Sequence, residues 1–286
     1  MSFRRRLQMS EPVHYINVHA ANTNLVGRSI LGNTEYSTQI VCDEGYSIYE
    51  ITIKMGGVDI TSTAYDATYN MISIASVTDD VDIECYAMHT MPSDYVRVDG
   101  IKNPSNAYLN TGYAVNNNNK VSIKFHSSFQ SGTSYPASSK DTGMSTTNGA
   151  GWWGNTSNGN FYVFHTKTSV YIGTLYNAST YECIADYYNG THLRILNGNS
   201  RTDSITKSTW SSGYNFCLFS RNQGYNSDKT AGQIIYYFRI YDYSTTSYVR
   251  YYIPCLNASG VAGFWDAARG IFQGSSNSTA FEAVNN

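Results

Sequence analysis

The chain from residue 95 to its end alternates short apolar runs with clusters of Asn, Gly and Ser, and this pattern constrains the fold more than any other feature. Each run is rich in Tyr, Val, Ile or Phe and is shorter than a typical helix. Many short strands separated by turn residues predict a two-sheet β-sandwich. The candidate strands lie at 95–98, 120–125, 161–164, 170–172, 181–186, 192–196, 216–220, 234–242 and 248–254.

Local signals refine this picture in three places. Asn-Gly pairs at 189–190 and 197–198 are type I′ turn signals, so the surrounding segment is predicted to form hairpins. The run 234–242 is apolar or aromatic on both faces with one exception, which predicts a central strand. Residues 126–160 are rich in Ser, Gly and Thr, and we expect long loops there at the edge of the sandwich.

The segment before residue 92 carries its own strand pattern. Apolar and polar side chains alternate at 49–55, a Gly-Gly turn follows, and the alternation returns at 81–87. Pro92 interrupts the pattern, and a new run begins at Tyr95. We therefore expect three parts, which are an N-terminal arm at 1–24, a small β module at 25–91 and a large sandwich at 92–286.

The composition favours a protein whose surface contacts other molecules. Only 14% of the residues are charged, against about 25% in an average soluble domain, and 26 of the 286 residues are Tyr. Tyrosine gives contact area at low entropic cost, although half-buried strand positions also select it. The net charge of −2 gives no electrostatic reason to expect nucleic acid as a partner. No apolar run approaches the roughly 20 residues of a membrane span, so no membrane insertion is expected.

Sequence motifs of known chemistry are missing from the chain. There is no phosphate-binding loop, no HExxH and no GxSxG. The five cysteines form no CxxC pair, so we expect buried free thiols and neither a metal nor another cofactor. The acidic cluster at 79–84 is interpreted as a turn and the solvent face of a strand. Glycosidases need two carboxylates about 5–10 Å apart. The sequence alone does not exclude a catalytic pair such as Asp186 with Asp228. We expect no enzymatic activity, with a glycan-cleaving enzyme as one alternative.

Three stretches of the large domain resemble a known family. They read YLNTGY at 108–113, FRIYD at 238–242 and YYIPCLNASGVAGFWDAARGIF at 251–272. They resemble the concanavalin-like, laminin-G-like jelly rolls in surface and tail proteins of tailed phages that infect gut bacteria. The segment before residue 92 resembles small immunoglobulin-like modules of such proteins. The resemblance implies an all-β chain that consists of an immunoglobulin-like sandwich followed by a jelly roll. It also implies that Trp265 has a structural role inside the jelly roll and does not bind ligand.

Aromatic residues in polar sequence are the candidates for ligand binding. Trp152 and Trp153 lie between polar segments, Trp210 lies among Ser and Thr, and Tyr225 lies in Gln-Gly-Tyr-Asn-Ser. Aromatic rings on loops stack on sugar faces, while amides and hydroxyls bond to sugar hydroxyls. These four residues form a candidate glycan site, and the alternative is that one Trp of the pair fills the sandwich core.

The N-terminal arm carries a short basic patch at Phe3, Arg4, Arg5 and Arg6, which is either a frayed end or a docking segment. No secretory signal is recognised at the N-terminus. Together with the resemblance, this implies a virion protein made in the host cytoplasm and released by lysis. We expect a fibre or decoration subunit that docks on other virion proteins through the arm and forms a homo-oligomer, with a trimer favoured. Its jelly roll would face outward and decorate the particle or contact host-surface polysaccharide. The other alternative is a bacterial surface or secreted carbohydrate-binding protein.

Overall fold

The structure of the protein is a computed structural model. It describes residues 11–127, 133–139, 150–155, 160–165, 168–174, 179–188, 191–197, 199–204, 214–222, 228–229 and 231–285. The chain divides into two compact units, residues 1–90 and 91–286, next to Pro92. Each unit has its own hydrophobic core. The predicted all-β fold class, a small immunoglobulin-like sandwich followed by a larger jelly roll, is confirmed.

The first unit consists of a five-stranded and a three-stranded sheet. Its elements are β1 (Val13–Ala21), β2 (Arg28–Leu31), β3 (Tyr36–Gln39), β4 (Tyr46–Met55), β5 (Val58–Asp59), α1 (Thr61–Ala64), β6 (Tyr65–Asp66), β7 (Met71–Ile74) and β8 (Val81–His89). The strand order is β2-β1-β8-β4-β5 in the larger sheet and β3-β7-β6 in the smaller one. Strand β8 is central, because β4 pairs with it antiparallel and β1 pairs with it parallel.

Residues at every second position of β8 build the core of the first unit. Val81, Ile83 and Cys85 are fully buried, while Asp82 and Glu84 between them are exposed. Successive side chains of a strand point to opposite faces, so one face packs inward and the other faces solvent. The predicted strands at 49–55 and 81–87 are confirmed. The acidic cluster is a bend followed by the exposed face of β8, as the sequence indicated.

The prediction of an N-terminal arm at 1–24 is wrong for the residues from 13 onward. Residues 13–21 form β1, which lies between β2 and β8, and Ile16 in its middle is only 1% exposed. Polar residues such as His14 and Asn17 interrupt the apolar pattern, so no clear period of two is visible in this segment. The ladders to both neighbours satisfy the backbone groups of β1 despite that weak pattern. The basic patch at 3–6 lies outside the described residues.

The second unit is built from strands β9 to β27. They are β9 (Val96–Arg97), β10 (Gly100–Lys102), β11 (Leu109–Asn110), β12 (Asn119–His126), β13 (Thr133–Ser139), β14 (Ala150–Asn155), β15 (Asn160–His165), β16 (Thr168–Thr174), β17 (Thr180–Asp186), β18 (Thr191–Leu196), β19 (Asn199–Ser204), β20 (Cys217–Leu218), β21 (Ser220–Asn222), β22 (Asp228–Lys229), β23 (Ile234–Asp242), β24 (Ser247–Leu256), β25 (Ala262–Asp266), β26 (Ile271–Gln273) and β27 (Glu282–Val284).

These strands form two sheets that share one core. The larger sheet runs β19-β18-β17-β12-β23-β24-β25-β26, with β9, β10 and β27 attached to it. The other runs β11-β20-β13-β14-β15-β16, with β21 and β22 attached. Phe125 and Phe238 from the larger sheet share a core with Trp152, Phe161 and Leu218 from the other. The predicted central strand is confirmed, because β23 lies between β12 and β24.

The prediction of long loops throughout 126–160 is wrong. Strands β13 and β14 lie in this segment, and each pairs with neighbours inside the second sheet. Their sequences, TSYPASS and AGWWGN, are rich in Ser, Gly and Ala, which have low strand propensity. Pairing with neighbouring strands stabilises these segments where their own composition does not.

The closing motif at 251–272 folds into three adjacent strands around one buried carboxylate. Strands β24, β25 and β26 are neighbours, and Asp266 at the end of β25 is fully buried. Its carboxylate accepts hydrogen bonds from the backbone N of Tyr251 (3.0 Å) and from Nε of Arg269 (2.6 Å). Nε of Arg250 lies 3.8 Å from the same carboxylate. Asp266 therefore links strand β24 to the turn between β25 and β26.

Two further expectations about buried residues are confirmed. Trp265 is 5% exposed, and the centroid of its ring lies 5.9 Å from that of Tyr95 in an edge-to-face arrangement, as expected of a buried structural residue. Four of the five cysteines are buried. Burial raises the pKa of Cys217 to about 12 and the pKa of Cys255 to about 11, so both thiols stay protonated at neutral pH.

Candidate functional site

The four residues of the sequence-predicted glycan site do not form a described surface. Trp152 lies on β14 and is 0% exposed, with its ring 6.0 Å from that of Phe216. A ring in the core cannot stack on a sugar, so the prediction for Trp152 is wrong. Trp152 instead fills the sandwich core, which was the alternative for one Trp of the pair. Trp153 lies on β14, but its side chain is outside the described part, as are Trp210 and Tyr225.

An aromatic surface lies instead on the outer face of the larger sheet of the second unit. In β12 the residues Val121, Ile123 and Phe125 are fully buried in the core. The residues that alternate with them therefore point away from it. The register of β17, β12, β23 and β24 builds three rows on this outer face. The rows are Asp186, Lys120, Tyr241 and Tyr248; then Ile184, Ser122, Arg239 and Tyr251; then Glu182, Lys124 and Tyr237.

We call this surface the tyrosine platform. It consists of Arg239 and six tyrosines, Tyr188, Tyr237, Tyr241, Tyr243, Tyr248 and Tyr251. Tyr188 is 36% exposed, Tyr251 is 5% exposed, and the other four tyrosines are half-buried. Six tyrosines on one sheet face, beside Lys120, Lys124, Glu182 and Asp186, indicate a candidate contact surface, because tyrosine is enriched where proteins bind partners.

The rings of the tyrosine platform pack against one another in a fixed chain. The rings of Tyr188 and Tyr243 stack with centroids 4.3 Å apart and planes 19° apart. Tyr243 then meets Tyr241, Tyr241 meets Tyr248, and Tyr248 meets Tyr251, all edge to face at 5.1–5.3 Å. Stacked and edge-to-face pairs are the favoured aromatic geometries, so the ring orientations are set before any ligand arrives.

Hydrogen bonds to two carboxylates and the guanidinium of Arg239 hold the tyrosine platform in place. The hydroxyl of Tyr243 donates to Oδ2 of Asp186 (2.6 Å), and that of Tyr237 donates to Glu182. Burial, followed by the bond to the carboxylate, raises the pKa of both tyrosines, so both hydroxyls stay protonated at physiological pH. The guanidinium of Arg239 lies 4.6 Å and 4.5 Å from the ring centroids of Tyr237 and Tyr251.

Sequence reasoning missed this surface although a signal was present. Tyr237, Arg239, Tyr241 and Tyr243 recur at every second position, which places them on one face of a strand. The sequence does not reveal which of the two faces of β23 is the outer one. It also does not reveal that Tyr248 and Tyr188 come from neighbouring strands to the same face.

A small group of potential metal ligands lies in the first unit. One ligand atom each from His14, Asp79 and Asp80 lies within 4.8 Å of the others. Oδ1 of Asp80 already accepts a hydrogen bond from the backbone N of Tyr15 (2.8 Å), and both carboxylates are exposed. Exposed acidic groups in a bend are common without an ion, so we assign no metal site here.

No helix within the described ranges is long and apolar enough to cross a membrane.

The fold and this surface define a class: an all-β protein of two sandwich units with an aromatic outer sheet face. No protein family matches the chain, and no curated protein matches it. Three solved structures that align with it share 10% sequence identity each.

The first of these, a Bacteroides ovatus ATCC 8483 protein named "putative carbohydrate binding protein", covers 96% of this chain and 98% of its own, with a TM-score of 0.49. The full extracellular region of zebrafish Gpr126/Adgrg6 covers 94% of this chain and 42% of its own (TM-score 0.36). A mutant of Trypanosoma rangeli sialidase displaying trans-sialidase activity covers 50% of this chain and 22% of its own (TM-score 0.35). All three TM-scores are below 0.5, so these likenesses carry no functional argument.

Proposed function

We propose that the protein is a non-enzymatic carbohydrate-binding protein whose second unit binds glycan through the tyrosine platform. The observation that carries the proposal is the set of six tyrosines and one arginine on a single outer sheet face. Aromatic rings stack on the apolar C–H faces of sugars, and phenol hydroxyls bond to sugar hydroxyls. Because the ring contacts already fix the side chains, binding would lose little side-chain entropy.

The carboxylates of the platform support binding rather than glycoside hydrolysis. Glu182 and Asp186 are four residues apart on β17, which places them about 13 Å apart at roughly 3.3 Å per residue. Paired glycosidase carboxylates lie about 5–10 Å apart. Both carboxylates also accept a tyrosine hydroxyl, which gives them a role in holding the platform. The sequence also left Asp186 with Asp228 as a possible catalytic pair. The side chain of Asp228 lies outside the described part of the structure.

As the biological setting we propose a phage virion, in which the chain is a fibre or decoration subunit and assembles as a homotrimer. The sequence resemblance, the low charge and the abundance of tyrosine support this setting. Mass spectrometry and imaging of purified phage particles test it directly. Recovery of the chain from particles supports the proposal. Its recovery from a bacterial surface or culture medium, and not from particles, would establish the alternative of a bacterial carbohydrate-binding protein.

We predict that removing two platform rings weakens glycan binding without unfolding the chain. The doubly substituted variant Tyr188→Ala, Tyr248→Ala should bind about 5- to 150-fold more weakly on an array of bacterial polysaccharides. This range corresponds to about 1–3 kcal/mol of lost aromatic contact. Melting curves should stay close to those of the unsubstituted protein, because neither ring belongs to the hydrophobic core.

The matched control is Tyr69→Ala, which removes a tyrosine that is 69% exposed in the first unit. Its binding should equal that of the unsubstituted protein. Equal binding by the platform variant, or no signal above background for the unsubstituted protein on the array, would contradict the proposed function.

A further inference from the structure

A concave feature lies on the side of the second unit, where the two sheets approach each other. Residues 172–174 of β16, in one sheet, face residues 179–181 at the start of β17 and residues 196–197 at the end of β18, in the other sheet. They enclose a cleft of about 440 Å³. Small-molecule sites are typically about 300–1,000 Å³, so the cleft is large enough for one sugar ring. It shares no residue with the tyrosine platform.

The cleft combines an apolar base with uncharged polar groups. Ile172 and Leu196 pack against the core and supply the apolar part. The side chains of Thr174, Ser179 and Thr180 supply hydroxyl groups, and no charged side chain is among the described lining residues. A hydroxyl both donates and accepts hydrogen bonds, which matches the hydroxyls of a sugar.

Glycine at position 173 allows the two sheets to meet at the base of the cleft. A Cβ atom at Gly173 would lie 2.6 Å from Cδ2 of Leu196, far closer than van der Waals contact. Any side chain at this position would displace Leu196, which is 8% exposed. The shape of the cleft therefore depends on this close approach.

Asn197 is one of the residues that line the cleft, and two hydrogen bonds connect it to Glu182. Its backbone has a left-handed conformation (φ 47°), which Asn adopts more readily than most residues. Its backbone N donates to the carbonyl O of Glu182 (3.0 Å), and its Oδ1 accepts from the backbone N of Glu182 (2.8 Å). The second bond restricts the orientation of the side-chain amide. The Nδ2 group of the same amide carries two further donors.

Two of the cleft hydroxyls are also held in place by neighbouring side chains. Oγ1 of Thr180 lies 3.2 Å from Nδ1 of His126, and Oγ1 of Thr174 lies 2.9 Å from the hydroxyl of Tyr171. Each hydroxyl has one donor and two acceptor positions, so one bond leaves capacity for a ligand. Polar groups that are already oriented bind a ligand with a smaller loss of entropy.

We propose that this cleft is a second binding site, which takes a single uncharged sugar unit through the Asn197 amide and the neighbouring hydroxyls. The proposal rests on the geometry of the cleft alone and does not depend on whether the tyrosine platform binds glycan. A protein with both sites would hold one glycan chain at two points, or two chains at once.

The test measures binding of the methyl glycosides of glucose, galactose, mannose and N-acetylglucosamine to the full chain by saturation-transfer difference NMR. Asn197→Asp keeps an oxygen for the backbone N of Glu182 and tolerates the left-handed backbone, but it replaces the Nδ2 donors by an acceptor. We expect at least a tenfold weaker affinity for the best of the four glycosides. Thr180→Val, which keeps the side-chain shape and removes the hydroxyl, should also weaken binding.

The matched control is Asn33→Asp, at an exposed left-handed residue of the first unit (φ 59°). It should bind like the unsubstituted protein. Three results would overturn the proposal: no saturable binding of any of the four glycosides, unchanged binding by both cleft variants, or an equal loss in Asn33→Asp. Loss of binding in the platform variant but not in the cleft variants would assign the sugar to the platform and also overturn it.

Discussion

Replacing Trp152 by Ala should lower the free energy of unfolding of the second unit by about 3–5 kcal/mol. The side chain is fully buried in the core between the two sheets, so its removal leaves a cavity that the sandwich cannot close. The melting temperature should fall by roughly 6–20 °C for a unit of this size. All four tryptophans of the chain lie after residue 91, so tryptophan fluorescence during denaturation reports on this unit alone.

The control for this experiment is Trp152→Phe. Nε1 of Trp152 has no hydrogen-bond partner in the structure, so phenylalanine removes an unsatisfied donor while keeping most of the ring. The loss should be smaller, about 1–2 kcal/mol. A Trp152→Ala variant with unchanged stability and weaker glycan binding would instead place Trp152 at a binding surface.

Replacing Asp266 by Ala should destabilise the second unit by a similar amount, about 3–5 kcal/mol. The substitution removes the acceptor for the backbone N of Tyr251 and leaves the guanidiniums of Arg250 and Arg269 without their shared carboxylate. Arg250 is only 8% exposed, and this burial lowers its pKa, so its charge is poorly solvated once the carboxylate is removed. Urea denaturation followed by tryptophan fluorescence measures the loss.

An exposed ion pair in the same unit provides the comparison. Nζ of Lys102 lies 3.0 Å from Oε2 of Glu282, and the two side chains are 39% and 54% exposed. Glu282→Gln should lower stability by less than about 1 kcal/mol, because solvent screens such pairs. Equal effects of the two substitutions would show that Asp266 does not organise the three closing strands.

The sequence predicted those parts of the fold in which local pattern and tertiary environment agree. In β8, apolar residues alternate with acidic ones, which is the period that a strand with one buried face requires. The apolar and aromatic residues of β23 suit its position in the middle of the larger sheet, between β12 and β24. Strands β13 and β14 were missed because they are rich in Ser, Gly and Ala, which do not favour a strand. Strand β1 was missed because its apolar and polar residues do not alternate regularly. Their neighbours in the sheet decide their conformation.

The candidate site was harder to predict, because it depends on which strands are neighbours. Trp152 lies in polar sequence, which favoured a loop, but β13 and β15 pair with its strand, and the ring fills the core. The tyrosines at 237, 241 and 243 are visible as an alternating series. Only the register with β12 and β24 shows that they join Tyr248 and Tyr188 on an outer face.

Hydroxyl-radical footprinting tests most directly whether the tyrosine platform binds glycan. The full chain is labelled with and without the polysaccharide that gives the strongest array signal, and the oxidation of individual tyrosines is measured by mass spectrometry. Tyr188 and Tyr248 should become protected at saturating polysaccharide, while Tyr15 and Tyr69, which are 56% and 69% exposed in the first unit, should keep their reactivity. Unchanged oxidation of Tyr188 and Tyr248 under saturating conditions would contradict the proposed platform.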